Sequence, residues 1–193
     1  MLYLLDRHLK FWHMCLANGA ALAWFAGMSL SIQAALPGAR LFRCPIGLCF
    51  GYYAPIELQA TLTAIGKDGR QYLADTLLPL DMVLPALLAV ALILTCVWFS
   101  RANQASAMPL SRGARAALLC VPLLYCLADY AENWALAEAL DAFPNIPYRL
   151  ARRASFLTAA KSQLVTAALG IALALAIAAW GRAHQHRPGY TRH

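Results

Sequence analysis

Four long apolar stretches limit the folds open to this chain more than any other feature of its sequence. They cover about residues 13–36, 78–99, 116–138 and 156–180. A helix needs about 20 mostly apolar residues to cross the hydrocarbon core of a bilayer. Each stretch reaches that length, so the sequence predicts an all-α integral membrane protein built as a bundle of four transmembrane helices.

The composition favours the same class of protein. Of the 193 residues, 61% are hydrophobic and 13% are charged, whereas a soluble domain is about 45–50% apolar and about 25% charged. We therefore expect one membrane domain over residues 1–181 and a basic tail over 182–193. The net charge of +7 does not indicate nucleic acid as a partner, because the arginines lie at the ends of the apolar stretches without interleaved aromatic residues.

The placement of arginine predicts the orientation of the helices. Cytoplasmic loops carry an excess of Lys and Arg. The loop over 101–115 and the tail contain arginine and no acidic residue, which places both termini in the cytoplasm. Trp12, Trp98 and Trp180 would then lie at the cytoplasmic interface, as the aromatic-belt preference favours. The last loop opposes this orientation with three arginines: Arg149, Arg152 and Arg153. We expect a multi-pass protein of a bacterial inner membrane.

The loop between the first two stretches is predicted to contain a helix over about 55–75. Pro55 suits the first helical position and Glu57 the first turn. Apolar residues then recur at spacings of four and three, at Leu58, Leu62, Ile65, Gly69 and Tyr72. Such an amphipathic helix would lie on the outer membrane surface and lead into the second span, with breaks or bends at Gly66 and Gly69.

Two stripes of small residues predict where helices approach one another. One recurs every four residues along the first stretch, at Gly19, Ala23, Gly27 and Ser31. The other follows the fourth stretch, at Thr158, Ser162, Thr166, Gly170, Ala174 and Ala178. Small side chains let helix backbones come close in lipid, so these stripes are expected to join the bundle or to form a homodimer.

A polar group interrupts the third apolar stretch. Asp129, Glu132 and Asn133 have the i, i+3, i+4 spacing that puts them on one helix face, and Tyr125 lies one turn earlier on that face. Lys161 lies in the first turns of the fourth stretch, beside Ser155, Thr158 and Ser162, and Asp81 lies at the start of the second. The three elements place these groups at a similar depth. The predicted ligand-binding residues are Tyr125, Asp129, Glu132, Asn133, Lys161 and Asp81.

The same residues allow structural interpretations. An ionised carboxylate at mid-membrane costs about 2.5–3.5 kcal/mol on insertion scales, so Lys161 is expected to neutralise one acid or one carboxyl to keep its proton. Asp129, Glu132 and Asn133 alternatively serve only to fix helix pairing. Lys161 alternatively extends to the membrane interface, and Asp81 alternatively complements a helix dipole.

The cysteines and histidines predict no metal site and no cofactor. Cys44 and Cys49 lie in the first loop, and a structural disulfide between them is expected if that loop faces the outside. No histidine lies inside a stretch near the depth of the acidic residues, so a metal site there is not predicted.

These features predict a small membrane protein that binds a lipid-like or small amphiphilic ligand or a partner membrane subunit. The first alternative is a membrane enzyme on a lipid-like substrate, with Asp129, Glu132 and Lys161 as candidate catalytic residues. The second is a proton-coupled transporter that works as an oligomer. Membrane lipids, a second copy of the chain or another membrane protein are the expected partners.

Overall fold

The computed structural model describes residues 8–36, 52–102 and 111–185. These residues are 89% helical and contain no strand. The helices are α1 (Phe11–Ala35), α2 (Pro55–Ala64), α3 (Gly66–Tyr72), α4 (Leu78–Asp81), α5 (Leu84–Ala102), α6 (Arg112–Asp141) and α7 (Tyr148–Gln185). Within the described ranges four helical segments are long and apolar enough to cross a membrane: Phe11–Ala35, Gly66–Arg101, Gly113–Asp141 and Tyr148–Gly181. An all-helical chain with four such segments, suggesting a multi-pass membrane protein, was predicted from the sequence and is confirmed.

The second of these segments begins at Gly66, about three helical turns before α4, and not at residue 78 as the sequence predicted. Helix α3 runs into a π-helical turn over Leu73–Leu77, and α4 follows directly. A π turn contains one residue more than an α turn. The side chains that follow it are therefore rotated about the helix axis relative to those of a continuous α-helix. The turn joins α3 to α4 without a loop.

The helix expected over 55–75 is divided in two at Gly66. Gly66 has a φ of +71°, a conformation that costs other residues about 1–2 kcal/mol and that glycine adopts freely. Gly69 does not break the chain: it is helical and buried. A Cβ atom there would lie 2.7 Å from the Cβ of Ile65 and 3.1 Å from a methyl group of Leu36, so the close approach requires glycine.

Helices α6 and α7 form the most extensive helix pair, and α5 packs against α1, α6 and α7. Alanines line the contact between α6 and α7, where Ala135, Ala139, Ala151 and Ala154 are almost fully buried. Such small side chains let the two helix backbones approach. The apolar core continues from this contact to leucines of α2, of the π turn and of α5.

Helix α1 buries a different stripe from the one that the sequence predicted. Its buried side chains are Met14, Ala21, Met28 and Ile32. Three hydrogen bonds to the second segment accompany them: Asn18 Nδ2 to Thr95 Oγ1 at 2.9 Å, Trp24 Nε1 to the Leu80 carbonyl at 3.0 Å, and Ser31 Oγ with Tyr72 OH at 2.6 Å.

The small-residue stripes lie mostly on exposed faces. Gly19, Gly27 and Gly170 are exposed, and no other atom lies within 4 Å of the position that a Cβ would take, beyond the backbone of their own helix. Only the first members of the second stripe, Thr158 and Ser162, are buried. Among the described residues, the stripes therefore join the bundle only in part, through Thr158 and Ser162 of α7 and through the hydrogen bond of Ser31. The buried residues of α1 are Met14, Ala21, Met28 and Ile32.

Two of the predicted features fall where the structure gives no description. Cys44 and Cys49 lie outside the described residues, and so does the tail from residue 186 onward. Helix α7 continues through Gln185, so the first four residues of the predicted tail are helical.

Candidate functional site

The acidic residues of α6 lie on the side of the helix that faces α7. Asp129, Glu132 and Asn133 are 2%, 1% and 2% exposed. The helix continues for 30 residues through this group, so the i, i+3, i+4 spacing places the three side chains on one face as predicted from the sequence. The structure therefore buries two carboxyls and one amide between helices that are otherwise apolar.

Lys161 of α7 pairs with both carboxylates. Its Nζ lies 3.0 Å from Asp129 Oδ1, and it forms a second ion pair with Glu132 Oε2. The lysine side chain is almost completely buried. Lys161 thus does not extend to the interface, and it supplies the positive charge that links α7 to two successive turns of α6. Removing one partner of such a buried pair leaves the other charge uncompensated.

Two hydroxyl groups complete the hydrogen bonding of these carboxylates. Tyr125 OH donates to Asp129 Oδ2 at 2.8 Å, and Thr158 Oγ1 donates to Glu132 Oε1. Thr158 lies one turn before Lys161 on α7. We call Tyr125, Asp129, Glu132, Thr158 and Lys161 the charged cluster. Every carboxylate oxygen in it has a partner inside the cluster.

Asp81 lies at the edge of the charged cluster. It is 3% exposed and interacts electrostatically with Asp129, Glu132 and Lys161. The Asn133 side chain lies beside it, but the buried amide atoms of Asn133 have no hydrogen bond of regular geometry among the described residues. Asp81 is the last residue of the four-residue helix α4, within the segment that begins at Gly66.

The charges of this region do not balance. Asp81, Asp129 and Glu132 contribute three carboxyls, and Lys161 contributes one ammonium group. A low-dielectric interior disfavours uncompensated charge, so protons or a bound group with hydrogen-bond donors would have to offset the excess of acid. Among the described residues, no three His, Cys, Asp or Glu side chains are grouped so as to hold a metal ion.

Tyr53 is a member of the site that sequence reasoning missed. The segment before α2 crosses α7, and the Ser155 hydroxyl accepts from the Tyr53 N–H at 3.2 Å and donates to the Tyr53 carbonyl. The Tyr53 hydroxyl is buried without a regular hydrogen bond and interacts with Glu132 and Lys161. Burial raises the pKa of Tyr53 to about 12. No sequence signal identifies this residue, because it belongs to a loop without periodicity.

An apolar pocket ends at Asp81. Its cavity has a volume of about 20 Å³, enough for one water molecule. Asp81 is the only polar residue among the eight that line it; the others are seven leucines, Leu58 and Leu62 of α2, Leu73, Leu77 and Leu78 of the π turn and α4, and Leu136 and Leu140 of α6. We call it the leucine pocket. It lies between α2, the π turn with α4, and α6, and Asp81 of α4 lines it.

The structure thus brings together all six residues predicted as ligand-binding, and it adds Thr158 and Tyr53. Tyr125, Asp129, Glu132 and Lys161 bond to one another. Asp81 lines the pocket, and the Asn133 side chain interacts with Asp81. Comparison of the chain with protein-family models, with curated proteins and with solved structures found no match.

Proposed function

We propose that this protein binds a lipid-like or small amphiphilic molecule, with the apolar chain of the ligand in the leucine pocket and its polar group at Asp81. The observation that carries the proposal is the composition of the pocket wall, in which seven leucines meet one buried carboxyl group. Ligand sites are mostly apolar and contain a few polar groups that fix orientation. An acyl or alkyl chain has the chemistry that such a wall accepts.

The geometry favours binding over catalysis by the charged cluster. Asp129 and Glu132 were candidate acid–base residues, but their oxygens are occupied by Tyr125, Thr158 and Lys161. Neither residue lines the leucine pocket. A general base needs to reach the proton that it abstracts. We therefore assign the cluster the role of a fixed support that positions Asn133 and Asp81 beside the pocket.

Ligand entry requires movement of α2 in this proposal. The present cavity is far smaller than the roughly 300–1,000 Å³ of sites for drug-sized ligands. Helix α2 supplies one wall through Leu58 and Leu62, and it is joined to α3 at Gly66. A rotation about this junction would widen the pocket and leave the charged cluster in place.

The proposal includes a location. We infer a bacterial inner membrane, with both termini in the cytoplasm and with α2 and the leucine pocket on the opposite side. An even number of spans puts both termini on one side, and the arginine-rich, acid-free loop at 101–115 supports the cytoplasmic side. Arg149, Arg152 and Arg153, in the first turns of α7, weigh against it, so the orientation has its own test below.

A neutral photoreactive probe tests the binding proposal. The full chain would be placed in phosphatidylcholine nanodiscs with decanol that carries a diazirine at its chain end, and labelled peptides would be mapped by mass spectrometry. Labelling should concentrate on the pocket leucines, and Leu140→Trp, which adds volume at the pocket wall, should reduce it. Leu22→Trp, on an exposed face of α1, is the matched control. Equal labelling of all lipid-facing helices in every variant would overturn the proposal.

A further inference from the structure

We infer that the polar group of the ligand is a protonated primary amine, so that the leucine pocket is a site for alkylammonium amphiphiles. This inference rests on the proposed binding function and narrows it to one chemical class. It is carried by the juxtaposition of a buried carboxyl at the pocket wall, which forms no salt bridge with a described residue, with a neighbouring cluster that contains more acid than base.

The hydrogen bonding of Asp81 supports the inference first. Its carboxyl is 3% exposed, yet it has no hydrogen bond of regular geometry to any described residue. The Asn133 side chain interacts with it, but both amide atoms of Asn133 are buried without a hydrogen bond of regular geometry among the described residues. Asp81 and the Asn133 carbonyl oxygen are acceptors, and a primary ammonium group has three N–H donors. An ammonium group in the pocket would donate to the Asp81 carboxyl, which lines it.

The charges around Asp81 support a cationic headgroup independently. The ammonium of Lys161 is already held between Asp129 and Glu132, so the third carboxyl has no cation of its own among the described residues of the site. An anionic headgroup at Asp81 would face three carboxyls in a medium of low dielectric, where like charges repel strongly. A cationic headgroup would reduce the imbalance. The same field therefore excludes fatty acids and phospholipid phosphates and attracts amines.

The hydrogen-bonding capacity of the headgroup restricts the amine. A primary ammonium has three N–H donors that Asp81 can accept, whereas a trimethylammonium group has none. The leucines of α2 and of the π turn line the same pocket and would contact the alkyl chain once α2 has moved.

Competition between headgroups tests the inference in the unmodified protein. The photoreactive decanol described above labels the pocket in nanodiscs at pH 7.5, and decylamine, decanol, decanoate and decyltrimethylammonium are added as competitors at matched concentrations in the bilayer. Decylamine should displace the probe at a concentration lower by about tenfold or more than decanol, because hydrogen bonds to a charged buried group are strong. Decanoate and decyltrimethylammonium should be weaker than decylamine.

Two carboxyl variants identify the residue responsible. Asp81→Asn keeps the shape of the side chain and should remove the preference for decylamine over decanol. Asp75→Asn changes an exposed acid in the π turn of the same segment and should keep the preference. Equal competition by decylamine and decanol in the wild-type protein, or a preference that survives Asp81→Asn, would overturn the inference and leave the binding function intact. Failure of the probe to label the pocket would remove both.

Discussion

Lys161 is the residue on which the arrangement of α6 and α7 depends most. Its ammonium group on α7 pairs with two carboxylates on α6, Asp129 and Glu132. Lys161→Met should therefore lower the free energy of unfolding by about 3–5 kcal/mol, because two buried carboxyls lose their counter-charge. Chemical unfolding in a mild detergent measures the change.

Arg153→Met is the control for this experiment. Arg153 pairs with Glu138 at 2.6 Å, but the two side chains are 49% and 41% exposed, so its loss should cost about 0–1 kcal/mol. Similar losses in the two variants would show that the buried pairs add nothing beyond an exposed pair.

A neutral version of the charged cluster separates a structural role from a functional one. Replacing Asp129, Glu132 and Lys161 together by Asn, Gln and Met removes all three charges and keeps similar volumes. We expect this variant to be more stable than Lys161→Met alone, because no charge remains buried without a partner. If it also labels normally with the photoreactive decanol, the cluster only fixes helix pairing; reduced labelling would assign it a part in binding.

Tyr53 gives the site a dependence on alkaline pH. Its pKa lies at about 12 in the folded protein because of burial, against 10.0 for an unperturbed tyrosine. The unfolded chain therefore loses this proton first. Stability from the neutral phenol is fully present below pH 10 and is lost between pH 10 and 12, up to about 2.7 kcal/mol.

Unfolding titrations between pH 8 and 12 would isolate this contribution. Tyr53→Phe should remove that part of the pH dependence, whereas Tyr52→Phe, at an exposed neighbour, should keep it. A slope above pH 10 that is the same in Tyr53→Phe and in the wild-type protein would contradict the assignment.

At the scale of the helices, the junction between α2 and α3 requires a positive φ at Gly66, which glycine adopts freely. Gly66→Ala places a side chain at a φ of +71° and should cost about 1–2 kcal/mol of unfolding free energy. Gly170→Ala changes a helical, exposed glycine with open space around it and should stabilise the protein by up to about 1 kcal/mol. The two glycine variants should therefore shift the unfolding midpoint in opposite directions, and a shift in the same direction would contradict this account of the junction.

The helices show why part of the site was predictable from the sequence. Asp129, Glu132 and Lys161 lie in long regular helices, where spacing fixes the face and antiparallel order fixes the depth. Tyr53 and the leucine pocket were not predictable, because they depend on where a loop crosses α7 and on how α2 folds back. The stripes of small residues misled for a related reason: sequence spacing identifies a face of α1, but the packing of Met14, Ala21 and Met28 decides which face is buried.

For the whole chain, the order of the four membrane-length segments predicts on which side of the membrane each loop lies. Reporter enzymes inserted within residues 103–110 and after residue 193 should report the cytoplasm, and those inserted within 37–51 and 142–147 the opposite side. Non-reducing electrophoresis after alkylation would show whether Cys44 and Cys49 form a disulfide, as expected for an outer loop. Reporters inserted at 37–51 that show cytoplasmic activity would invert the orientation and remove the disulfide argument.

Exposed small residues on the outer faces of α1 and α7 predict that the protein associates with a second copy or with another membrane protein. Gly19, Ala23 and Gly27 on α1, and Gly170 and Ala174 on α7, are exposed and flanked by exposed leucines. These faces have the composition of helix-pairing surfaces in lipid, and a homo-oligomer or a partner membrane protein remains the expected occupant.

The π turn over Leu73–Leu77 sets the helical phase of everything that follows it. Upstream of it, Tyr72 bonds to Ser31 of α1; downstream, Asp81 lies at the leucine pocket beside α6. Each residue of an α-helix advances the direction of the side chain by about 100°. Without the extra residue of the π turn, Tyr72 and Asp81 would therefore not face Ser31 and the leucine pocket at the same time. Deleting Ala74 alone would keep the segment helical and apolar, and it would move the carboxyl of Asp81 out of the pocket without changing a single functional side chain.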